Sequence, residues 1–140
     1  MPGPTEVLII EDDALDRAML AELLAVRGRG RIRVSEASDF KTAMQKLESQ
    51  GFDLVLLDTK LPDATALSAL RAIGEQAPLT PVLPHPAYIT PRARQYARDR
   101  GAFDLVVRGD LNPMWSAVNK LLTLRALGGD DRPVARAVGE

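Results

Sequence analysis

The sequence predicts a doubly wound α/β fold in which five parallel strands alternate with five helices. Two short, continuous apolar runs, residues 7–10 and 54–57, are typical of strands that are covered on both faces. Segments with helical periodicity lie between the strand candidates, and this alternation is the pattern of a parallel sheet flanked by helices. The length of 140 residues and the hydrophobic fraction of 46% suit one domain with a sizeable core.

The first half of the chain contains three predicted strands and two predicted helices. The strands are residues 7–10, 31–35 and 54–57. Helix 1 is expected to end at Gly28, because glycine commonly follows the last helical turn. Its apolar stripe is expected to consist of Leu15, Ala18, Met19, Leu23 and Val26. Helix 2 is expected over residues 39–50, with Ser38 as its N-cap.

The second half repeats the alternation with three helices and two strands. The predicted elements are helix 3 (64–76), strand 4 (80–85), helix 4 (from the Thr90 cap to Gly101), strand 5 (103–107) and helix 5 (from Asn112). Thr90 is followed by Pro91, which suits the first helical position. The stripe of helix 5 is expected to contain Trp115, Val118, Leu121, Leu122 and Arg125. The domain is expected to span residues 1–127, with residues 128–140 as a flexible C-terminal tail.

The composition excludes several classes of function. The chain has no Cys and a single His, which excludes disulfides, thiol catalysis and multi-His metal clusters. That residue, His85, is expected to be a packing or solvent-edge residue and not a catalyst. A net charge of −1 does not suggest a nucleic-acid partner. No apolar run reaches the roughly 20 residues of a membrane span, and the N-terminus does not resemble a secretory signal, so we expect a cytoplasmic protein.

Acidic residues follow two of the predicted strands. Glu11, Asp12 and Asp13 come after strand 1, and Asp58 comes after strand 3. In such sheets the functional crevice lies beyond the carboxyl ends of the strands, so these acids are expected to meet there. Carboxylates suit Mg²⁺, and an aspartate can attack phosphorus while the metal offsets charge on the transferred group. The alternatives are helix capping by the Asp12–Asp13 pair and an Asp58 without any role.

Three segments resemble response-regulator receiver domains of two-component signalling. Residues 7–13 are similar to the opening of those domains, residues 52–63 to their phosphorylation-site segment, and residues 101–107 to the stretch entering their fifth strand. The likeness runs from residue 6 to residue 127. It implies a flavodoxin-like, five-stranded parallel sheet of order 2-1-3-4-5 with five helices.

The resemblance also implies a set of site residues. Asp58 matches the phosphoacceptor of the family, and Glu11 and Asp12 match its acidic pair, with Asp12 favoured as the direct Mg²⁺ ligand. The backbone carbonyl of Lys60 matches a further metal ligand. Arg108 stands in place of the family's lysine that contacts the phosphoryl group. Asp13, one position beyond the pair, is expected to cap helix 1.

Several positions depart from the family pattern. Pro86 replaces the Thr or Ser whose hydroxyl reaches the phosphoryl group, and proline offers neither a hydroxyl nor a backbone donor. Leu105 replaces an aromatic residue. Arg108 retains the charge of lysine but is bulkier and forked. Gly109 replaces a proline, so no family-type cis bond is expected, and Ala66 replaces a glycine.

The prolines of strand 4 also affect the expected sheet. Pro84 and Pro86 share parity, so both missing N–H donors fall on the same side of the strand. Proline is poorly tolerated inside a central strand. We therefore expect strand 4 to be short, ending near Leu83 or Pro84, with an irregular connection to Thr90.

The resemblance implies a stand-alone receiver that accepts a phosphoryl group on Asp58 with Mg²⁺ and is not an enzyme. The implied donor is a histidine kinase or phosphotransfer protein, and the signal leaves through protein contacts. The face formed by helix 4, strand 5 and helix 5 is one that such domains use for homodimerisation. The alternative is a phosphorylation-independent interaction module of the same fold. A hydrolase with an aspartyl nucleophile is disfavoured, because Lys60 stands where that class has a second Asp.

Overall fold

The computed structural model describes residues 3–99 and 105–128, and its strands form one parallel sheet. The elements are β1 (Thr5–Ile10), α1 (Ala14–Gly28), β2 (Ile32–Ala37), α2 (Phe40–Ser49), β3 (Leu54–Asp58), α3 (Ala66–Gln76), β4 (Val82–His85), α4 (Pro91–Asp99) and α5 (Leu111–Gly128). The strand order is β2-β1-β3-β4, and each neighbouring pair is parallel. The predicted doubly wound order is confirmed for these four strands.

Each face of the sheet carries its own hydrophobic core. Val7, Ile9, Leu54 and Leu56 point to one face, where they pack with buried residues of α1 and α5. The alternate residues of the same strands point to the other face and pack with α2 and α3. The apolar runs at 7–10 and 54–57 are buried throughout, as strands covered on both sides require.

The prediction of a fifth strand was wrong for the described residues of that segment. Residues 105–107, the described part of that segment, do not form a strand, although they lie beside β4. The amides of Val106 and Arg108 donate to the carbonyls of Pro84 and Pro86, at 3.3 and 2.7 Å. A full parallel ladder also needs bonds in the opposite direction. The two proline nitrogens face this side and carry no hydrogen, so only half of the ladder can form.

Strand β4 is short, as expected, but it ends one residue later than predicted. Pro84 pairs with Leu57, and His85 pairs with Asp58. The ladder to β3 tolerates Pro84 because the missing donor of that residue points to the opposite edge. The predicted irregular connection is confirmed, since residues 86–90 form neither helix nor strand.

Two details of the first helices differ from the predictions. Asp39, and not Ser38, caps α2 by accepting a hydrogen bond from the amide of Thr42 at 2.7 Å. The predicted stripe of α1 is largely wrong, because Leu15 and Val26 are 69% and 61% exposed. The buried residues of α1 are Leu20, Leu24 and Gly28. Leucines occur on both sides of this helix, so its composition does not reveal which side meets the sheet.

The later helices agree with the predictions more closely. The hydroxyl of Thr90 accepts from the amide of Ala93 at 3.0 Å, which confirms the predicted cap of α4. In α5, Val118 and Leu121 are buried, and Trp115 and Leu122 pack against the same core. The Arg125 side chain, Gly101, residues 103–104 and most of the predicted tail (129–140) lie outside the described residues.

Among the helices described, none is both long and apolar enough to cross a membrane.

Candidate functional site

Four polar side chains form one row at the carboxyl end of the sheet. Ile9, Leu56 and Leu83 are aligned on adjacent strands, and all three face the α1–α5 core. Because side chains alternate along a strand, the residue two positions further on faces the same side. Those residues are Glu11, Asp58 and His85. Val106, in the segment beside β4, belongs to the same core, and two residues later Arg108 completes the row.

Three members of this row form a compact buried trio. One potential ligand atom from each of Glu11, Asp58 and His85 lies within 4.8 Å of the other two. Glu11 is fully buried, and Asp58 and His85 are each 1% exposed. His85 Nδ1 lies 3.8 Å from Glu11 Oε1. The sequence prediction that Glu11 and Asp58 come together is confirmed.

Burial dominates the protonation of the trio. The pKa of Glu11 is raised to about 8, chiefly by burial and also by the neighbouring Asp58 carboxyl, against the opposing effect of the bond from the Asp13 amide. Burial also raises the pKa of Asp58. The pKa of His85 is lowered to about 4, chiefly by burial and also by the charge of Arg108. Each shift favours the neutral form, as low-dielectric surroundings require.

Each acid of the trio has one oxygen held by the protein and one left over. Glu11 Oε2 accepts from the amide of Asp13 at 3.1 Å, and Asp58 Oδ1 accepts from the amide of Lys60 at 3.1 Å. Glu11 Oε1 and Asp58 Oδ2 are buried and accept from no amide or basic side chain in the described part of the chain, and the two carboxyls are close enough to share a hydrogen bond when Glu11 carries a proton. Buried polar atoms in native proteins are usually satisfied. Free carboxylate oxygens therefore fit a site that binds Mg²⁺, which prefers oxygen ligands.

Arg108 binds the acids of the first strand and helix. Its Nη2 lies 3.1 Å from Glu11 Oε2 and 2.9 Å from Asp16 Oδ2, and its Nε donates to Asp16 Oδ2 at 3.0 Å. The described residues show no direct hydrogen bond from Arg108 to Asp58. The charge of the guanidinium nevertheless opposes the rise of the Asp58 pKa.

The other predicted residues occupy the rim. Asp12 is exposed and lies outside the trio, but its side chain is close enough to Asp58 to raise the pKa of that acid by hydrogen bonding. Asp13 accepts from the amide of Asp16 at 2.9 Å and is the N-cap of α1, which confirms its predicted role. Lys60 contributes the amide that holds Asp58.

Sequence reasoning missed His85 and Asp16. His85 follows Leu83 by the same two positions that separate Asp58 from Leu56, but this spacing places His85 in the site only once the register of β3 and β4 is known. Asp16 carried no comparable signal. Its partner Arg108 is distant in the chain, and only the docking of α1 beside residues 105–108 brings the two together.

Two of the positions that depart from the family pattern, Pro86 and Leu105, lie on the other face of the sheet. Pro86 and Leu105 line an open, mainly apolar cavity of about 510 Å³ together with Thr59, Leu67 and Tyr88. Next to Thr59, the described surface thus carries the ring of Pro86 and the aliphatic side chain of Leu105, where the resemblance implies a hydroxyl and an aromatic ring.

Comparison with known proteins identifies the family. Residues 7–113 match the family model described as the response regulator receiver domain. The chain is 32% identical to the response regulator protein PilR of Pseudomonas aeruginosa over 96% of its length, which spans 30% of PilR. It is 34% identical to the transcriptional regulatory protein PdtaR of Mycobacterium tuberculosis over 91% of its length, which spans 63% of PdtaR. The chain therefore covers less than two thirds of either relative.

Solved structures agree on the fold. The CheY-like receiver domain protein from Methanospirillum hungatei superposes with a TM-score of 0.75 at 20% identity, covering 90% of this chain and all of that one. The response regulator TrrA of Thermotoga maritima, solved in complex with Mg²⁺-BeF, superposes with a TM-score of 0.71 at 24% identity, covering 84% of this chain and 98% of TrrA. With the matching family model, this likeness leads to one conclusion: the chain belongs to the response-regulator receiver domain family of two-component signalling.

Proposed function

We propose that this receiver domain accepts a phosphoryl group on Asp58 with the help of Mg²⁺ and passes the signal on through protein contacts. The observation that carries the proposal is the buried Asp58 carboxyl at the end of β3. One of its oxygens is held by the Lys60 amide, and the other is buried and accepts no hydrogen bond from an amide or a basic side chain of the described residues. A carboxylate held at one oxygen presents the other in a defined direction, which suits attack on phosphorus.

The cation site in this proposal is built from the acids around Asp58. Asp12 and Asp58 would bind Mg²⁺ directly, Glu11 would act as the second acid of the pair, and the backbone carbonyl of Lys60 would supply a further oxygen. When bound, the cation offsets negative charge on the group being transferred. The buried oxygen Glu11 Oε1, which no amide or basic side chain uses, supports this assignment.

The transfer itself requires an ionised Asp58. A carboxylate oxygen of Asp58 forms a bond to phosphorus, the bond between phosphorus and the donor breaks, and the leaving group takes up a proton. Burial opposes the charged carboxylate, whereas the charge of Arg108 favours it. A bound cation acts in the same direction as Arg108. The acceptor is therefore expected to be weak until the cation site is filled.

The donor in this proposal is a histidine kinase or phosphotransfer protein, and the domain acts as a cytoplasmic signalling module and not as an enzyme. The face formed by α4, residues 105–107 and α5 is the proposed homodimer surface. Neither a membrane nor nucleic acid is a proposed partner. The donor assignment rests on membership of the receiver family, in which this relation is general.

A phosphorylation-independent interaction module is the second candidate. It is favoured by two departures from the family pattern, because Pro86 has no hydroxyl and Leu105 has no aromatic ring. It is also favoured by Arg108, whose bonds go to Glu11 and Asp16. A domain of this kind would keep the acidic site without passing phosphorylation on to a partner surface.

Intact-mass spectrometry with a small phosphodonor and Mg²⁺ tests the proposal. The expected result is one added phosphate on the wild type and none on Asp58→Asn. Asp99→Asn is the matched control, because it makes the same change at an exposed position on α4 and should leave the adduct intact. A wild type that stays unmodified with every donor, while still binding Mg²⁺, would favour the interaction module.

A further inference from the structure

His85 is a buried imidazole next to the acidic site that the proposed phosphoryl chemistry does not use. We propose that His85 is a third protein ligand of this site, together with Glu11 and Asp58, and that the trio binds a first-row transition-metal ion such as Zn²⁺. The inference rests on the metal site of the proposed function but not on phosphoryl transfer.

The fold itself brings the imidazole to the acids. His85 is the direct neighbour of Asp58 in the β3–β4 ladder, so the two side chains leave the sheet on the same face. A potential ligand atom of each trio member lies within 4.8 Å of the others, a separation that one shared ion can bridge. The three ligands lie at the carboxyl ends of three adjacent strands, and a rigid sheet holds such ligands more firmly than loops do.

The imidazole is also poorly satisfied for a packing residue. His85 is 1% exposed, and its Nε2 is buried without a hydrogen-bond partner among residues 3–99 and 105–128. Its Nδ1 lies 3.8 Å from Glu11 Oε1, which is longer than a normal hydrogen bond. A buried histidine that only fills space normally has a partner for its polar atoms.

The hydrogen bonds of the acids leave room for an ion. Glu11 Oε2 is occupied by the Asp13 amide and Arg108, and Asp58 Oδ1 by the Lys60 amide. Two oxygens remain. One is Glu11 Oε1, which lies 3.8 Å from His85 Nδ1, and the other is Asp58 Oδ2. Each acid thus keeps an oxygen that no amide or basic side chain uses.

The ligand set decides the class of ion. Mg²⁺ prefers oxygen and keeps several waters, whereas imidazole nitrogen suits Zn²⁺, Co²⁺ and their neighbours. Two carboxylates and one imidazole resemble the three-ligand sets of open zinc sites, in which a further position stays free for water or another oxygen. We therefore expect Zn²⁺ to bind this trio more tightly than Mg²⁺.

The single histidine makes the test direct. In the untagged full chain labelled with ¹⁵N, every imidazole nitrogen signal belongs to His85. Saturating Zn²⁺ is expected to shift these signals strongly. Calorimetry should show Zn²⁺ affinity falling by about 10-fold or more in His85→Leu, and Asp99→Asn, the matched surface control, should bind like the wild type. His85→Gln, which keeps a polar side chain, should lose affinity similarly, and circular dichroism checks that both variants fold.

The outcomes separate this inference from the proposed function. Imidazole signals that stay in place while Zn²⁺ binds would overturn the role of His85, as would unchanged Zn²⁺ affinity in a folded His85→Leu. Zn²⁺-induced shifts in a wild type that never gains phosphate from a donor and Mg²⁺ would support the zinc site and refute phosphoryl acceptance. A phosphate adduct without any imidazole shift would do the reverse.

Discussion

At the scale of single residues, the candidate site is a cluster of buried ionisable side chains. Glu11, Asp58 and His85 are nearly inaccessible to solvent, and the pKa of each is shifted in the direction that favours the neutral side chain. Arg108 offsets part of this cost through its bonds to Glu11 and Asp16. The arrangement costs stability in the metal-free protein and favours a bound cation, because a cation stabilises the ionised acids.

The first prediction concerns the pH dependence of metal-free stability. Unfolded Glu11 loses its proton near its ordinary pKa of 4.5, whereas folded Glu11 keeps it to about pH 8, so this residue lowers the free energy of unfolding as pH rises across that range. His85 acts oppositely between its folded pKa of about 4 and its ordinary 6.5. The two largely compensate below pH 6.5, and only the decline due to the acids remains from there to about pH 8.

Urea denaturation in a chelator, at several pH values between 6.5 and 8, measures this decline. The slope should flatten in Glu11→Gln and persist in Glu22→Gln, which makes the same change at an exposed position of α1. Stability that rises with pH in this window, or an unchanged slope in Glu11→Gln, would contradict the assignment.

At the scale of elements, the edge of the sheet is governed by two prolines. The carbonyls of Pro84 and Pro86 accept hydrogen bonds from the following segment, but their nitrogens return none. Half of a ladder holds residues 105–108 near β4 without making them a regular strand. This segment carries both Leu105 and Arg108, so the prolines loosen a part of the fold in which two residues depart from the family pattern.

The second prediction is that Pro86→Thr strengthens this edge. The new amide faces residues 105–108 and can complete a bond that proline cannot make, which is expected to raise the free energy of unfolding by about 1 kcal/mol. Hydrogen exchange measured by NMR should find the amide at position 86 protected. The control Pro62→Thr, at an exposed loop position, should gain an amide that exchanges rapidly. An equally rapid exchange at position 86 would show that the missing donor does not limit the ladder.

At the scale of the whole molecule, one end of the sheet carries the candidate site, while the apolar cores supply stability. Two apolar cores cover the faces of the sheet, and the uncompensated buried atoms of the site lie at the carboxyl ends of β1, β3 and β4. A ligand that binds only the folded chain stabilises all of it. The state of the site should therefore be visible in global unfolding.

The third prediction follows from this coupling. A cation present at 100 times its dissociation constant should raise the free energy of unfolding of the wild type by about 2.7 kcal/mol. Asp58→Asn should lose most of this gain, yet without metal it should be more stable than the wild type, because the amide removes a buried acid whose ionisation is unfavourable. Thermal unfolding with and without Mg²⁺ measures both effects. An Asp58→Asn protein that is less stable than the wild type in chelator would contradict this account.

The sequence alone determined the alternation of strands and helices, the caps at Asp13 and Thr90, and the meeting of Glu11 with Asp58. These features follow from local periodicity, from capping chemistry and from the rule that parallel strands end at one edge. It also placed the two missing proline donors on one side, since parity along a strand is local.

Only the tertiary structure decided which side of α1 is buried, that residues 105–107 form no strand, and that His85 lies beside Glu11 and Asp58. The apolar runs of β1 and β3 are buried on both faces, so no alternation of polar and apolar residues marks which face each side chain takes. That choice depends on the register between strands and on the docking of helices, which join residues far apart in the chain. The neighbours of His85 and Arg108 could therefore be seen only once the sheet was assembled.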